Sequence, residues 1–486
     1  MNYAADPAIS DANLFGAVSK SLRKDSRTVH NRLRSIAHDS EFVIDVSEAF
    51  GLPLVANERC GRWYIPPERI AESVYFKSTD GHTGQWGFSL RRLNLHIIDL
   101  VARSGGIVIV DSTRRGKRMP DALSKTVPIW CAVLNNAMFG VGKLYTSPTA
   151  VSRSEHAQIE AQIGTWTQQF LRCGIDIAKI CAHLDKPLRP IWVTPDVSLI
   201  LPPEPPTFDE FHAIVLCTAS RTVQDGAERR QGYTYVQGAA DDQEAWASGI
   251  TPNLFWINKE LLLKSTDYEV EQIIMNGQLK GGQSDFESPG IGNSTRLLDI
   301  TAIADTGIYI GKKKQSAINH YNDITDFNTI IDLSKSPTAL PDTQTTNKEI
   351  LQLPILDGKK GSKQFRADLP RIIAFFERTC LSNKARSESI SPEICLLILC
   401  DTGSDFSVGA ALAILSLYYN EEGHIDENNK ERIKNRIDKD LVRRRLTLIV
   451  VQRKVNPSRA TLLAVNSVLM GWNNNNGCES SINTVR

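Results

Sequence analysis

The nine cysteines, at positions 60, 131, 173, 181, 217, 380, 395, 400 and 478, form no C-x-x-C pair, and several sit inside apolar runs such as AIVLCTA and ICLLILC. That spacing argues against a structural zinc site and against a disulfide framework. No apolar run reaches the roughly 20 residues that span a bilayer, so no membrane association is expected. The first 30 residues have neither the apolar core of a signal peptide nor the acid-poor, arginine-rich pattern of a transit peptide, which makes the cytoplasm the expected location. Neither sign of charge dominates: 56 Lys and Arg face 55 Asp and Glu. The balance hides a segregation. Residues 430–454 hold ten bases against three acids, while 203–260 hold nine acids against four bases. A polyanion could therefore find a basic face on a nearly neutral protein, although a solvated Lys/Arg-rich helix gives the same pattern.

At 486 residues the chain exceeds what one hydrophobic core usually organises, and two domains are expected. The stretch NGQLKGGQSDFESPGIGNST (276–295) reads as a linker between two patterned regions. The boundaries expected are a first domain at 1–280, a linker at 281–295 and a second domain at 296–486. In the first, Val29, Leu33, Ile36 and Ala37 mark an amphipathic helix with Arg27, Arg32 and Arg34 on its other arc. The runs EFVIDV (41–46), GIVIVD (106–111), RPIWVT (189–194) and AIVLCT (213–218) read as strands, which predicts a mixed α/β domain. In the second, TGIYIG, TIIDLS, ILQLPIL, ICLLILC and LTLIVVQ (446–452) read as strands, and helices are expected at 367–381, 407–420 and 458–470.

Three stretches carry the chemistry. In GGIVIVDSTRRGK, a buried strand ends at Asp111 and opens into Ser112, Thr113, Arg114, Arg115, Gly116 and Lys117. Cations beside a glycine suit a pyrophosphate or several RNA phosphates, with Asp111 a candidate ligand for a bridging metal ion; a solvated basic loop is the alternative. In GAADDQEAW, Asp241 and Asp242 could hold Mg2+, with Asp241 as a metal ligand, or supply a general base; an Asp-capped helix start fits as well. In LLILCDTGSDFSVGAALAIL, a strand, a turn and an Ala-rich helix place Asp401, Thr402, Gly403, Ser404, Asp405 and Ser407 where backbone N–H groups can cradle an anion, or where Ser407 simply caps the helix. The turn is similar to the Cys-x5-Arg loop of dual-specificity phosphatases, with Cys400 at the nucleophile's place. Phe406 stands where the arginine belongs. A phosphatase-like fold that still binds phosphate but has lost hydrolysis is therefore expected, with Cys400 a buried apolar residue.

These stretches, together with TVHNRLRSIAHDSEFV, VANERCGRWYIPP, VYFKSTDGHTGQWGFSLRRLNLHIIDL and NPSRATLLAVNSVLM, closely resemble the fungal and plant initiator-tRNA phosphoribosyl transferases across almost the whole chain. The resemblance implies a two-domain α/β protein with a phosphatase-like (DUSP-like) second domain. It implies transfer of a 5-phosphoribosyl group from 5-phosphoribosyl-1-diphosphate (PRPP) to the ribose 2′-hydroxyl of a T-stem adenosine in cytosolic initiator methionine tRNA, which reserves that tRNA for initiation. Under it, the residues from Asp111 to Lys117, with Mg2+, would bind the donor. Thr402–Asp405 and Ser407 would form a second phosphate cradle, and Asp242, Asp241 or Asp401 would be the base. Arg27, Arg32 and Arg34, and Arg443, Arg444 and Arg445 within the basic 430–454 segment, would track tRNA phosphates. No obligate protein partner is evident. A catalytically dead, phosphatase-like RNA-binding protein is the alternative.

Overall fold

Thr28 starts the first helix by accepting a hydrogen bond from the Asn31 amide, and Gly51, at φ 62°, ends it. The structure, a computed structural model of the chain, describes residues 25–26, 28–114, 116–173, 175, 177–182, 184–196, 204–280, 298–313, 327–337, 348–356, 358–381, 395–420, 423–425 and 437–475. Arg27, Arg115 and the expected linker 281–295 lie outside the described residues. The chain divides into two compact units. Unit 1 comprises Met1–Phe88, Ile97–Phe170 and Asp176–Ile291, and unit 2 comprises Ser89–His96, Leu171–Ile175 and Gly292–Arg486.

In unit 1 the helix α1 runs over Val29–Phe50. It includes residues 41–46, which were expected as a strand. Leu33, Ile36, Val43, Val46 and Ala49 are all buried, and their spacing is that of one helical face. The β-branched content of EFVIDV is therefore overruled by the period of its neighbours. Next come β1 (Leu54–Asn57), β2 (Ile70–Val74), α2 (Ile98–Ser104) and β3 (Gly106–Asp111). A π-helical turn, Ala122–Thr126, leads into α3 (Val127–Phe139), followed by α4 (Arg153–Glu160), β4 (Leu188–Val193) and β5 (His212–Thr218). These strands form one sheet in the order β2-β1-β3-β5-β4, and every pairing is parallel. All residues of β3 and β5 are buried, as suits strands covered on both faces. A hairpin, β6 (Ala227–Arg230) with β7 (Tyr233–Val236), follows.

In unit 2 the strands β8 (Leu298–Ala302), β9 (Ile308–Lys313), β10 (Thr329–Asp332), β11 (Glu349–Gln352) and β12 (Leu396–Cys400) form a sheet ordered β11-β10-β12-β9-β8. Only the β8–β9 pairing is antiparallel. The helices are α5 (Gly358–Phe376), α6 (Phe406–Tyr418), α7 (Lys439–Gln452) and α8 (Arg459–Asn475). Helix α7 contains residues 446–452, a second run expected as a strand. Leu441, Val442, Arg445, Leu446, Ile449 and Val450 are buried at i, i+1, i+4, i+5, i+8 and i+9, and the Asp438 side chain caps the helix through the Leu441 amide. Among the described residues, no helix is long and apolar enough to cross a membrane.

Candidate active site

In unit 1 β1 lies beside β3, and the connection leaving β1 runs to one side, to β2, while the connection leaving β3 runs to the other, to β4. Parallel sheets form a crevice outside the carboxyl ends of their strands at such a point. The residues that close β1 and β3 are Asn57 and Asp111. Asn57 donates from Nδ2 to Asp111 Oδ2 at 2.9 Å and to the Phe76 carbonyl at 3.0 Å, and its Oδ1 accepts from the Phe76 amide at 2.8 Å. The fully buried Asp111 carboxylate also accepts from Cys60 Sγ and the Ser112 amide, each at 2.8 Å.

Arg59 joins this strand edge to the acidic loop. Its guanidinium lies 3.4 Å from Asp111 Oδ1 and 2.5 Å from Asp241 Oδ1, and it donates to the Ser112 carbonyl. Burial works against its charge, but the carboxylates around it outweigh that cost and raise its pKa. Burial also pushes the Asp241 carboxyl above the usual carboxylate range, with Arg59 pulling the other way.

The basic loop and the acidic loop are built as one piece. Gln237 Nε2 donates to the carbonyls of Arg114 at 3.3 Å and Lys117 at 2.8 Å. Gly238 sits at φ 63°, and a Cβ there would come within 2.7 Å of the Thr113 carbonyl, so only glycine permits the approach. Ser112 and Thr113 are buried. The Ser112 hydroxyl meets Ser220 Oγ at 2.7 Å and Tyr64 OH at 3.0 Å, which makes it floor rather than mouth. Exposed above this floor are Arg114, 3.1 Å from Asp242, and Lys117, 2.5 Å from Asp121. Gly116, at φ 86°, has open space about it. Arg32 points inward: its Nη1 donates to the carbonyls of Ala239 and Asp241, and its guanidinium lies over Trp246. Arg34 Nη2 donates to the Leu263 carbonyl at 2.7 Å.

The donor set at Asp111 and Asp241 does not fit a metal ion. A guanidinium occupies the place between the two carboxylates, and Asp111 spends both oxygens on Asn57, Cys60, Ser112 and Arg59. Among the described residues there is also no group of three or more His, Cys, Asp or Glu side chains placed to hold a metal ion. Arg59, Asn57, Cys60, Tyr64 and Gln237 were not singled out from the sequence. The one local signal is a polar residue, Asn57, closing an apolar run just before Arg59.

In unit 2 the loop after β12 turns at Gly403, φ 62°, into α6. Cys400 is buried, its sulfur 3.1 Å from Ser407 Oγ, and it accepts from the Gly403 amide at 3.2 Å. The Ser404 amide donates to Thr402 Oγ1 at 3.3 Å. Asp401 Oδ2 accepts from the Lys335 amide at 3.1 Å, and Asp405 Oδ1 accepts from the Ser458 amide and the Thr461 hydroxyl. Phe406 stacks on Phe365 with ring centroids 5.2 Å apart, so the place of a phosphatase arginine is filled by an aromatic contact.

Residues 22–278 match the Rit1 N-terminal domain, and residues 349–469 match the Rit1 DUSP-like domain. The chain belongs to the Rit1 family. It is 37% identical over 514 residues to the tRNA A64-2′-O-ribosylphosphate transferase of Saccharomyces cerevisiae, covering 95% of this chain and 97% of that one. It is 38% identical over 477 residues to an uncharacterized protein of Schizosaccharomyces pombe, covering 93% and 96%. Among solved structures, the Yvh1 phosphatase domain of Chaetomium thermophilum aligns at 18% identity over 37% of this chain and 99% of that chain, with a TM-score of 0.26.

The Arg59 cluster lies in the part of the chain that matches the Rit1 N-terminal domain, and Cys400–Ser407 lies in the part that matches the Rit1 DUSP-like domain. The latter part also holds the basic segment, of which 430–436 lie outside the described residues. On α7, Arg443 is exposed and lies 2.7 Å from Asp440. Arg445 is buried, its Nη2 donating to the Tyr419 carbonyl at 2.7 Å, so its charge faces the interior of unit 2 rather than solvent.

Proposed function

We propose that this Rit1-family protein transfers a 5-phosphoribosyl group from PRPP to the ribose 2′-hydroxyl of a T-stem adenosine, A64, of cytosolic initiator methionine tRNA. The observation that carries the chemistry is the union of a basic loop and an acidic loop through Arg59 at a sheet switch point. The nucleotide is taken from the name of the S. cerevisiae relative, and the initiator tRNA from the family likeness. In the reaction the C1–O bond to diphosphate breaks, and diphosphate leaves with the electron pair. The adenosine 2′-oxygen bonds to C1 and gives up its proton. Arg114, Arg115 and Lys117 neutralise the departing diphosphate. Asp241, with its carboxyl raised by burial, is the base, and Arg59 holds it in place. Magnesium belongs to this reading as counter-ion of the donor's diphosphate, and no step runs through Asp111 as its ligand. The Thr402–Ser407 loop is a second anion contact and makes no bond to the transferred group.

Incubating the protein with donor labelled in its ribose and with total tRNA, then digesting the product, tests this. Covalent label on one 2′-O-modified adenosine of initiator tRNA is expected. Retention of tRNA with no covalent label would instead favour a silent, phosphatase-like RNA-binding protein. In the same assay Cys400→Ser should keep at least about half of the wild-type rate, because a buried thiol hydrogen-bonded inside its own loop takes no part in the transfer. A covalent adduct trapped on Cys400 would overturn that assignment.

A further inference from the structure

Behind the floor of the site lies a chain of buried polar groups that the reaction above does not use. Asp39, on α1, is buried, and its Oδ1 accepts from Tyr235 OH at 2.8 Å. Tyr235 OH in turn accepts from the Arg221 amide at 2.9 Å. Ser220, one residue away, meets Ser112 Oγ at 2.7 Å and donates to Tyr64 OH at 3.3 Å. Tyr64 OH also accepts from the Ala240 amide at 3.2 Å. A single buried network thus runs from α1, through β7 and the turn after β5, to the base of the donor loop at Ser112 and of the acidic loop at Ala240. Asp39 Oδ2 has no hydrogen-bond partner among the described residues, and no cation pairs closely with the carboxyl.

We propose that Asp39 is a positioning residue of the transferase site: a neutral carboxylic acid that, through Tyr235 and Ser220, holds Ser112, Tyr64 and Ala240 and with them the roots of both catalytic loops. An ionised carboxylate in this place would leave a buried, unpaired charge, and the network would rearrange to reach a donor. Burial pushes the Asp39 carboxyl up to about 8, with the hydrogen bond from Tyr235, the nearby Ser220 hydroxyl and the more distant Arg230 acting in the opposite direction. The other titratable groups facing it do not change charge near neutrality. Burial raises the pKa values of Tyr235, Tyr64 and Cys217, so all three keep their protons. His38, whose ring meets Tyr235 edge-on, has its pKa lowered by burial and then by Arg230, so it is already neutral above pH 7.

The sign of the linkage follows. A carboxyl with a raised folded-state pKa contributes stability that is full below its unfolded value, about 3.8, and is lost as pH rises toward about 8. Asp39→Asn keeps the shape and removes the titration. Its melting temperature minus that of the wild type should therefore climb by several degrees between about pH 5 and about pH 8 and then level off. A flat difference overturns the neutral acid. The positioning role is read by hydrogen–deuterium exchange of 111–118 and 238–242 at about pH 9, where the wild type should exchange at least ~5-fold faster than Asp39→Asn. Equal exchange overturns it, and neither measurement needs substrate. The rate readout alone rests on the transferase reading: labelling by the wild type should fall above about pH 8, and Asp39→Asn should lose that alkaline limb. An unchanged limb in Asp39→Asn overturns positioning, whereas absence of label in every variant counts against the transferase reading. Should Asp39→Asn fail to fold, Tyr235→Phe removes the hydroxyl that links Asp39 to the Arg221 amide, and exchange of 111–118 and 238–242 should then be raised already near about pH 7 and lose its further rise above about pH 8. Exchange in Tyr235→Phe that keeps the wild-type level and the wild-type pH dependence would overturn the proposal.

Discussion

Arg59→Ala should lower kcat/KM for donor-dependent labelling by ~100-fold or more and destabilise unit 1 by ~3 kcal/mol, the scale of removing one partner from a buried ion pair. The guanidinium serves two carboxylates and the Ser112 carbonyl at once. Without it, fully buried Asp111 loses its counter-charge, and Asp241 loses the contact that sets its carboxylate against the donor loop. Arg59→Lys is the sharper test. A lysine keeps the charge but offers a point donor in place of a fork, so it cannot span Asp111 and Asp241 together. The lysine variant should stay within about 5-fold of the alanine variant in kcat/KM. Calorimetry, and labelling below the melting transition, would separate the two losses. Near-wild-type values for Arg59→Lys would return the pair to a site that any cation satisfies, a magnesium ion included.

How much of this could be read beforehand depends on how local each feature is. GIVIVD and AIVLCT were legible as strands because a parallel strand covered on both faces is a continuous apolar run, and RPIWVT, at the sheet edge with Arg189 exposed, was legible from its Ile-Trp-Val core. EFVIDV and LTLIVVQ share that composition, yet both are the distal halves of helices. Their β-branched residues continue a helical stripe begun by Leu33 and Ile36 in one case and by Leu441 and Val442 in the other. The inner strand β1 is only Leu54–Asn57, too short to announce itself. The charge density of 111–118 and the acid pair at 241–242 stand out in the sequence, but what joins them does not. Arg59 and Asp241 are 182 positions apart, and Gln237 and Lys117 are 120 apart. Two acids without a visible partner invite a metal ion. The partner is an arginine that adjoins neither stretch, and the pairing becomes visible only when β1 is set beside β3.

Replacing arginines on α7 one at a time should separate a role in RNA binding from a role in folding. Arg445→Ser is expected to cost about 2–3 kcal/mol, since a buried charged donor to the Tyr419 carbonyl is lost and that carbonyl is left in the interior. For a unit of this size that is a fall in melting temperature of roughly 5–10 °C. Arg443→Ser should change stability by less than about 0.5 kcal/mol, because its contact with Asp440 is an exposed pair one helical turn away. If this face of the helix meets tRNA phosphates, Arg443→Ser should weaken all tRNAs alike and reduce the slope of log affinity against log salt by about one unit. Arg445→Ser, measured where it is still folded, should leave that slope unchanged, because a buried guanidinium releases no counterion. Removing Arg443, Arg444 and Arg445 together would mix the two effects, and unfolding would pass for lost binding. Tm by calorimetry and tRNA affinity at three or more salt concentrations decide the matter. A fall of less than about 1 °C for Arg445→Ser would contradict its buried role, and an unaltered slope for Arg443→Ser would remove this helix face from the RNA-binding surface.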